Sequence, residues 1–199
     1  MKHRLIFATN NRYKADEVQS LLPPDFEVIT LHEAGIVKEI PEPYPTLEEN
    51  AATKATTIFT LVNEDCFAED TGLEVAALDG APGVRSARFA GEHARAEENI
   101  TLLLQQLQPH ENRTARFRTV IHLIKNGKAH TFEGICNGSI AKLASGNKGF
   151  GYDPVFIPEG SERCFAEMTM EEKNRFSHRR KALDAMLIFL HNMHESNQT

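Results

Sequence analysis

The sequence predicts an α/β protein built on a mixed β-sheet, and three observations predict it. A short apolar run, Leu5-Ile6-Phe7-Ala8, passes through a polar turn into a helical pattern. In the middle of the chain a long alternating stretch reaches Asn126-Gly127 and returns, the signature of a hairpin closed by a type I′ turn. Helical segments with their own start signals lie between and after these strands, which is how an α/β chain is organised.

Taken in order, Leu5 to Ala8 reads as a buried strand and Thr9-Asn10-Asn11 as the turn after it. From Tyr13 to Leu22 the apolar positions Val18, Leu21 and Leu22 share a helix face, and Pro23-Pro24 stops the helix. Phe26 to Ile29 resumes strand character. Residues 36 to 46 hold Pro41, Pro43 and Pro45 and form an extended loop. Thr46-Leu47-Glu48-Glu49 is a capping box, and the helix it opens runs to about Asn63 with Ala51, Ala55, Ile58 and Val62 at helical spacing. Asn50, Lys54 and Thr57 form a second, polar line on that helix, either a solvated face or a functional one. Cys66 to Ala68 is apolar and should end as a strand at Glu69-Asp70-Thr71-Gly72. Residues 79 to 91 make a glycine-rich loop, and a helix follows from about Ala96, ended by Pro109. Phe117 to Ile124 and His130 to Cys136 are the arms of the hairpin. A capping box at Thr169 to Glu172 and a helix from about Ser177, with Leu183, Met186, Leu187, Leu190 and Met193 at core spacing, complete the chain.

The 199 residues, 41% hydrophobic and 25% charged, suit one globular domain, expected over 1–199. No run approaches the roughly 18 apolar residues of a membrane span, and the basic start is followed by too short an apolar stretch for a signal peptide. Cys66, Cys136 and Cys164 are far apart and lack CxxC spacing, so reduced thiols and a cytoplasmic location are expected rather than disulfides or zinc. The net charge of −6 argues against a nucleic-acid binder, including an RNA-binding module.

Four stretches are rich in chemistry. Thr9-Asn10-Asn11-Arg12-Tyr13-Lys14 is a strand-to-helix turn, where unpaired N–H groups and the helix dipole favour phosphate. It lacks the glycines of a Walker A loop, and most such turns bind nothing. Glu69 and Asp70 supply carboxylates suited to Mg²⁺ or to deprotonating water. Because neighbouring strand residues face opposite ways, the two converge only if the strand ends there; otherwise they are a polar turn. Glu42 in the proline-rich loop is a third candidate carboxylate. Gly149-Phe150-Gly151-Tyr152-Asp153-Pro154 combines glycines with two aromatics, and Phe150 or Tyr152 can stack on a base; core packing is the ordinary alternative. Lys173 and Ser177-His178-Arg179-Arg180 place cations at a helix start, where the dipole opposes them, so a nearby anion or carbonyl is expected.

In this order the stretches resemble the inosine/xanthosine triphosphate pyrophosphatase family, nearly end to end from Ile6 to about Leu190. The motifs are Thr9, Asn11 and Lys14; Glu49-Asn50-Ala51 through Lys54-Ala55; Glu69 to Leu73; Gly80 to Arg88; Gly149 to Pro154; and Ser177-His178-Arg179. The resemblance implies a long central mixed sheet with two lobes around a nucleotide cleft, and a homodimer. It also implies Mg²⁺-dependent hydrolysis of ITP, dITP and XTP to the nucleoside monophosphate and pyrophosphate, which keeps these nucleotides out of DNA and RNA. Asp70 would be metal ligand and general base, with Glu42 helping to hold the metal. Thr9, Asn10, Asn11, Arg12, Tyr13, Lys14, Lys54 and Thr71 would face the triphosphate. Phe150, Gly151, Tyr152, Asp153, Lys173, His178 and Arg179 would surround purine and sugar. No stable nucleic-acid or membrane partner is implied. Glu69 departs from the family's usual aspartate, which bears on metal geometry. Asn10 varies among members, and Asn147-Lys148 replaces a commonly smaller pair at the rim of the base pocket. Two alternatives are a pyrophosphatase for pyrimidine or modified nucleotides and a nucleotide binder without activity, the second motivated by Glu69 alone.

Overall fold

The fold is described from a computed structural model covering residues 3–24, 26–38 and 40–196; Met1 and Lys2 of the basic start lie outside it. The elements are β1 (His3–Phe7), α1 (Arg12–Leu21), β2 (Phe26–Thr30), α2 (Leu47–Val62), β3 (Cys66–Val75) and β4 (Pro82–Gly83). They continue with α3 (Ala96–Gln106), β5 (Thr114–Lys125), β6 (Lys128–Ile140), β7 (Phe156–Pro158), α4 (Met170–Asn174) and α5 (His178–Ser196). The strands form a mixed sheet in the order β2-β1-β3-β5-β6-β7, with β4 attached to β3. β1 is parallel to β2 and β3, whereas β3–β4 and β6–β7 are antiparallel. The α/β expectation with a mixed sheet holds.

The chain divides into two compact units, one of residues 1–70, 119–134 and 179–199, the other of 71–118 and 135–178. In the first unit the strand period of two sorts side chains between two cores. Leu5, Phe7 and Phe67 join Ala15, Val18 and Leu21 of α1 and Ala182, Leu183, Met186 and Leu190 of α5. The intervening Ile6, Ala8, Cys66 and Ala68 join Ala55 and Ile58 of α2. The strands are therefore apolar on both faces, as helix-covered parallel strands must be. Each fully buried Val, Leu or Phe there contributes roughly 1.5–3 kcal/mol. In the second unit, Leu73 and Val75 of β3 pack with Ile100, Leu103 and Leu107 of α3, Phe117, Ile140, Phe156 and Phe165.

Local signals account for most boundaries. Thr46 caps α2, accepting from the Glu49 N–H at 3.2 Å while its hydroxyl donates to the Glu49 carboxylate at 2.6 Å, and Asn63 closes the helix in the left-handed conformation. Asn126 and Gly127 both have positive φ, 50° and 72°, which a type I′ turn requires. The capping box at Thr169 opens α4.

One boundary departs from expectation. β3 does not end at Glu69-Asp70 but runs ten residues to Val75. Gly72 permits this: a Cβ there would lie 2.7 Å from the Gly83 carbonyl oxygen, so its absence lets β4 pair at Leu73↔Gly83 and Glu74↔Pro82. The strand's alternation then sends Glu69 and Asp70 to different partners. The expected glycine-rich loop over residues 79 to 91 correspondingly contains β4.

Candidate functional site

The first unit carries a cluster of charges around Asp70. Asp70 is buried, and its Oδ1 lies 3.6 Å from Lys54 Nζ. Lys54 is one turn of α2 beyond Asn50, and its ammonium also donates to Glu42 Oε1 at 2.5 Å and to the Glu69 carbonyl at 2.7 Å. The ammonium thus makes two hydrogen bonds and a longer ion pair to Asp70. The polar line predicted on α2 is therefore not a solvated face at Asn50 and Lys54, both of which are buried. Asn50 explains how a glutamate from the proline-rich loop is held. Its side chain accepts from the Tyr44 N–H at 3.0 Å and donates to the Tyr44 carbonyl at 3.1 Å, tying the loop that carries Glu42 to α2.

Burial pushes the Asp70 carboxyl above its ordinary value; Lys54 opposes the shift and the Glu42 charge adds to it. For Glu69, burial acts upward too, but the charges and hydrogen bonds of Arg179 and Lys14 outweigh it and hold the carboxyl well below its usual value. The adjacent carboxylates are therefore pushed in opposite directions. Asp70 is the more basic of the two, the property a proton acceptor needs.

The turn before α1 is built as the sequence suggests. Asn11 is the N-cap, accepting from the Lys14 N–H at 3.2 Å, and its own N–H donates to Thr9 Oγ1 at 3.1 Å. Asn10 accepts from the His32 N–H at 3.1 Å, fixing the turn to the segment after β2. Arg12 and Tyr13 are exposed, whereas Lys14 reaches Glu69 Oε1 at 3.1 Å. Thr71 follows Asp70 on β3 and is half-buried.

The second unit gathers the remaining predicted residues. Asp153 and Lys173 are both buried and joined at 2.8 Å. Asp153 Oδ2 also accepts from the Phe150 N–H at 2.9 Å. Gly149 has φ of 73°, and a Cβ there would strike that same oxygen at 2.0 Å, so glycine is required where the loop wraps the carboxylate. Lys173 Nζ lies 5.1 Å from the half-buried Phe150 ring, within cation–π range. Gly151 has φ of 60° and completes the turn to Tyr152. Of the two aromatics expected beside a base, Tyr152 is a core residue whose hydroxyl donates to the Ser86 carbonyl at 2.9 Å, leaving Phe150 as the stacking candidate. His178 is buried with its ring stacked on Phe117, centroids 4.7 Å apart.

Arg179, expected to face the purine, is 1% exposed in the first unit. Its guanidinium makes a two-pronged contact with Glu69, at 2.7 and 2.8 Å, and a further bond to Glu17. These carboxylates are the anions that its place in the first turn of α5 called for. Glu17 and Asn50 escaped the sequence reading as site residues. The available signal for Glu17 was its position in the stripe Lys14, Glu17, Val18, Leu21, where a carboxylate falls on the buried face of α1.

The chemistry of the donor set decides whether Mg²⁺ fits. Asp70 and Glu42 are hard oxygen donors, and Lys54 already places a cation between them. Among the described residues no group of three or more His, Cys, Asp or Glu side chains could hold a metal. The set fits an ion that takes one or two carboxylates and fills its shell with water and substrate oxygens, which is how Mg²⁺ is usually bound.

A fold of this topology, carrying a buried carboxylate–lysine cluster at a strand that continues from one compact unit into the next, defines a class that comparison identifies. Residues 5–189 match the Ham1 family model, and the chain belongs to the Ham1 family. It is 50% identical over 189 residues to the dITP/XTP pyrophosphatase of Porphyromonas gingivalis, covering 94% of this chain and 97% of that protein. It is 47% identical to the dITP/XTP pyrophosphatase of Flavobacterium psychrophilum, covering 95% and 100%. Among solved structures, the Ham1 protein of Staphylococcus aureus is similar with a TM-score of 0.87 at 35% identity, covering 96% of this chain and 100% of that one.

Proposed function

We propose that this protein is a nucleoside-triphosphate pyrophosphatase that hydrolyses non-canonical purine nucleotides, dITP, ITP and XTP, with Mg²⁺, to the monophosphate and pyrophosphate. The observation that carries the reading is the Asp70–Lys54–Glu42 cluster: a buried carboxylate of raised proton affinity, flanked by a lysine and a second carboxylate. The family relationship, with relatives named dITP/XTP pyrophosphatase, supports the substrate class.

In this reading Asp70 takes the proton of a water that attacks the α-phosphorus. The bond from that phosphorus to the bridging oxygen breaks, and pyrophosphate leaves with the electron pair. Negative charge grows on the leaving group, and Lys14 and Lys54 supply positive charge for it. Thr9, Asn10, Asn11, Arg12, Tyr13 and Thr71 line the phosphate path. Asp70 and Glu42 would hold Mg²⁺, which when bound supplies charge neutralisation at the phosphates. Phe150 would stack on the base, with Gly151, Asp153, Lys173 and His178 around purine and sugar. Donors to a 6-keto group leave adenine unsatisfied, and such mismatches cost orders of magnitude in specificity.

Removal of these nucleotides would protect DNA and RNA from their incorporation. A cytoplasmic homodimer is part of the same reading. The three cysteines are buried and outside disulfides, and among the described residues no helix is long and apolar enough to cross a membrane. The alternative of an inactive binder was motivated by Glu69. That side chain pairs with Arg179 and Lys14, which gives it a role in the fold that needs no loss of activity.

Chromatography of products from ITP, dITP, XTP, ATP and GTP with Mg²⁺ tests the proposal. Monophosphate plus pyrophosphate, with ATP and GTP far slower, is the expected result. Diphosphate plus orthophosphate would overturn it.

A further inference from the structure

The proline-rich loop before α2 is built as a stiff arm with one anchor. In Pro41-Glu42-Pro43-Tyr44-Pro45 every second residue is a proline, whose ring fixes its own φ. Glu42 and Tyr44 each precede a proline, which restricts them to extended backbone. Prolines carry no N–H, so Glu42 and Tyr44 hold the two backbone donors of these five residues. Asn50 takes the one at Tyr44: its Oδ1 accepts from that N–H at 3.0 Å, and its Nδ2 donates to the Tyr44 carbonyl at 3.1 Å. Two residues back along the arm, Glu42 Oε1 meets Lys54 Nζ. The Asn50 amide nitrogen has a second N–H, and this side chain also hydrogen-bonds the Asp70 carboxylate. Asn50 is 0% exposed on α2. Leucine at such a place would favour the helix and add apolar burial, so a buried carboxamide that breaks the local rule points to its contacts.

We propose that Asn50 is a positioning residue for the divalent cation: one carboxamide ties the Pro41–Pro45 arm to Asp70 and so sets how far apart Glu42 and Asp70 stand. The inference rests on the reading that Asp70 and Glu42 hold Mg²⁺. Mg²⁺ demands near-ideal octahedral geometry at about 2.0–2.1 Å, so two carboxylates serve it well when they are spaced before it arrives. A carboxylate on a slack loop would have to be ordered at each binding event, which weakens affinity. The prolines carry the anchor at Tyr44 across to Glu42, because the residue between them is Pro43. Tyr44 itself is exposed and is gripped through its backbone.

Mn²⁺ is a hard divalent ion that takes the same oxygen donors, and paramagnetic resonance of free Mn²⁺ titrated against the full chain reads its binding without turnover. Asn50→Leu keeps the volume and the helix but removes the carboxamide. It should weaken Mn²⁺ binding about tenfold, equivalent to about 1.4 kcal/mol. Pro43→Gly leaves Asn50 and its partners in place and slackens the link from Tyr44 to Glu42. It should weaken binding about two- to fivefold. Tyr44→Ala keeps both backbone groups and should bind Mn²⁺ as the native chain does. In ITP hydrolysis, Asn50→Leu should raise the half-saturating Mg²⁺ concentration by about the same factor, and excess Mg²⁺ should recover the rate lost at low Mg²⁺.

Native Mn²⁺ affinity in Asn50→Leu, even with a lowered thermal midpoint, would make the residue merely structural and overturn the proposal. Native affinity in Pro43→Gly would do so too, and a tenfold loss in Tyr44→Ala would place the anchor in the ring instead. Where Asn50→Leu does not fold, Asn50→Gln carries the same amide on a longer stem, and Pro43 is an exposed site. Weakened binding in both Asn50→Gln and Pro43→Gly supports the proposal, and native affinity in either refutes it. Glu42→Gln separates the two readings. Mn²⁺ binding lost there but kept in Asn50→Leu overturns the proposal alone. Binding untouched by Glu42→Gln, or no binding by the native chain, removes the assignment of the ion to Asp70 and Glu42 and the proposal with it.

Discussion

At the residue scale the account turns on two adjacent carboxylates with opposite environments. Asp70 carries a raised pKa because burial and Glu42 outweigh Lys54, so its ionisation is unfavourable in the folded state. The linkage follows directly. A carboxyl whose folded pKa is raised contributes stability below its unfolded value that is lost as pH rises through the folded one. At neutral pH the ionised Asp70 is thus a net cost to the fold, and Asp70→Asn should raise the thermal midpoint while lowering kcat about a hundred- to ten-thousandfold. Scanning calorimetry and steady-state rates on one preparation check both. The acid limb of kcat/KM should lie above the ordinary aspartate value of 3.8 and should move to lower pH in Glu42→Gln, which removes a charge that raises Asp70. An unmoved limb would assign it to another group. The identity of these carboxylates was legible in the sequence, since an acidic pair stood at the end of an apolar run. Their division of labour was not, because Arg179 lies 110 residues from Glu69 and no local pattern announces that contact.

At the element scale, β3 is the piece the sequence misread. Thr71-Gly72 looked like a strand end, because glycine after polar residues ordinarily marks a turn. The tertiary reason for Gly72 is instead the close approach of β4, which a sequence pattern cannot display. Gly72→Ala should destabilise by about 1–3 kcal/mol, the range for overpacked sites, since the Gly83 carbonyl is backbone and must itself move. Urea unfolding measures it, and a change near zero would mean that β4 is free to shift. Helix starts were far more legible: Thr46 and Thr169 both cap their helices, Thr169 with the full reciprocal box and Thr46 with the N-cap bond alone. Removing the first cap with Thr46→Ala should cost about 1 kcal/mol in the same assay.

At the scale of the whole molecule, the α/β class and the hairpin at Asn126-Gly127 were readable because period and turn chemistry are local. The division into two units was expected only through family resemblance, since it falls inside β3, β5 and β6 and at the first turn of α5, and no linker marks it. Acid stability is a property at this scale. Glu69 is held below its unfolded value of about 4.5, so its contribution is fully present above that value and is lost as pH falls through the lower folded one. Glu69→Gln should therefore flatten the loss of stability below pH 4.5 relative to the native chain, as read from urea midpoints across the acid range. An unchanged acid profile would show that Glu69 does not govern it.

The central claim is that water, deprotonated by Asp70, attacks the α-phosphorus of a 6-keto purine triphosphate. Hydrolysis of ITP in heavy-oxygen water, with mass spectrometry of both products, tests it most directly. The account predicts the heavy atom in the nucleoside monophosphate and none in pyrophosphate. Label in the pyrophosphate instead would place the attack on the β-phosphorus and contradict the role assigned to Asp70.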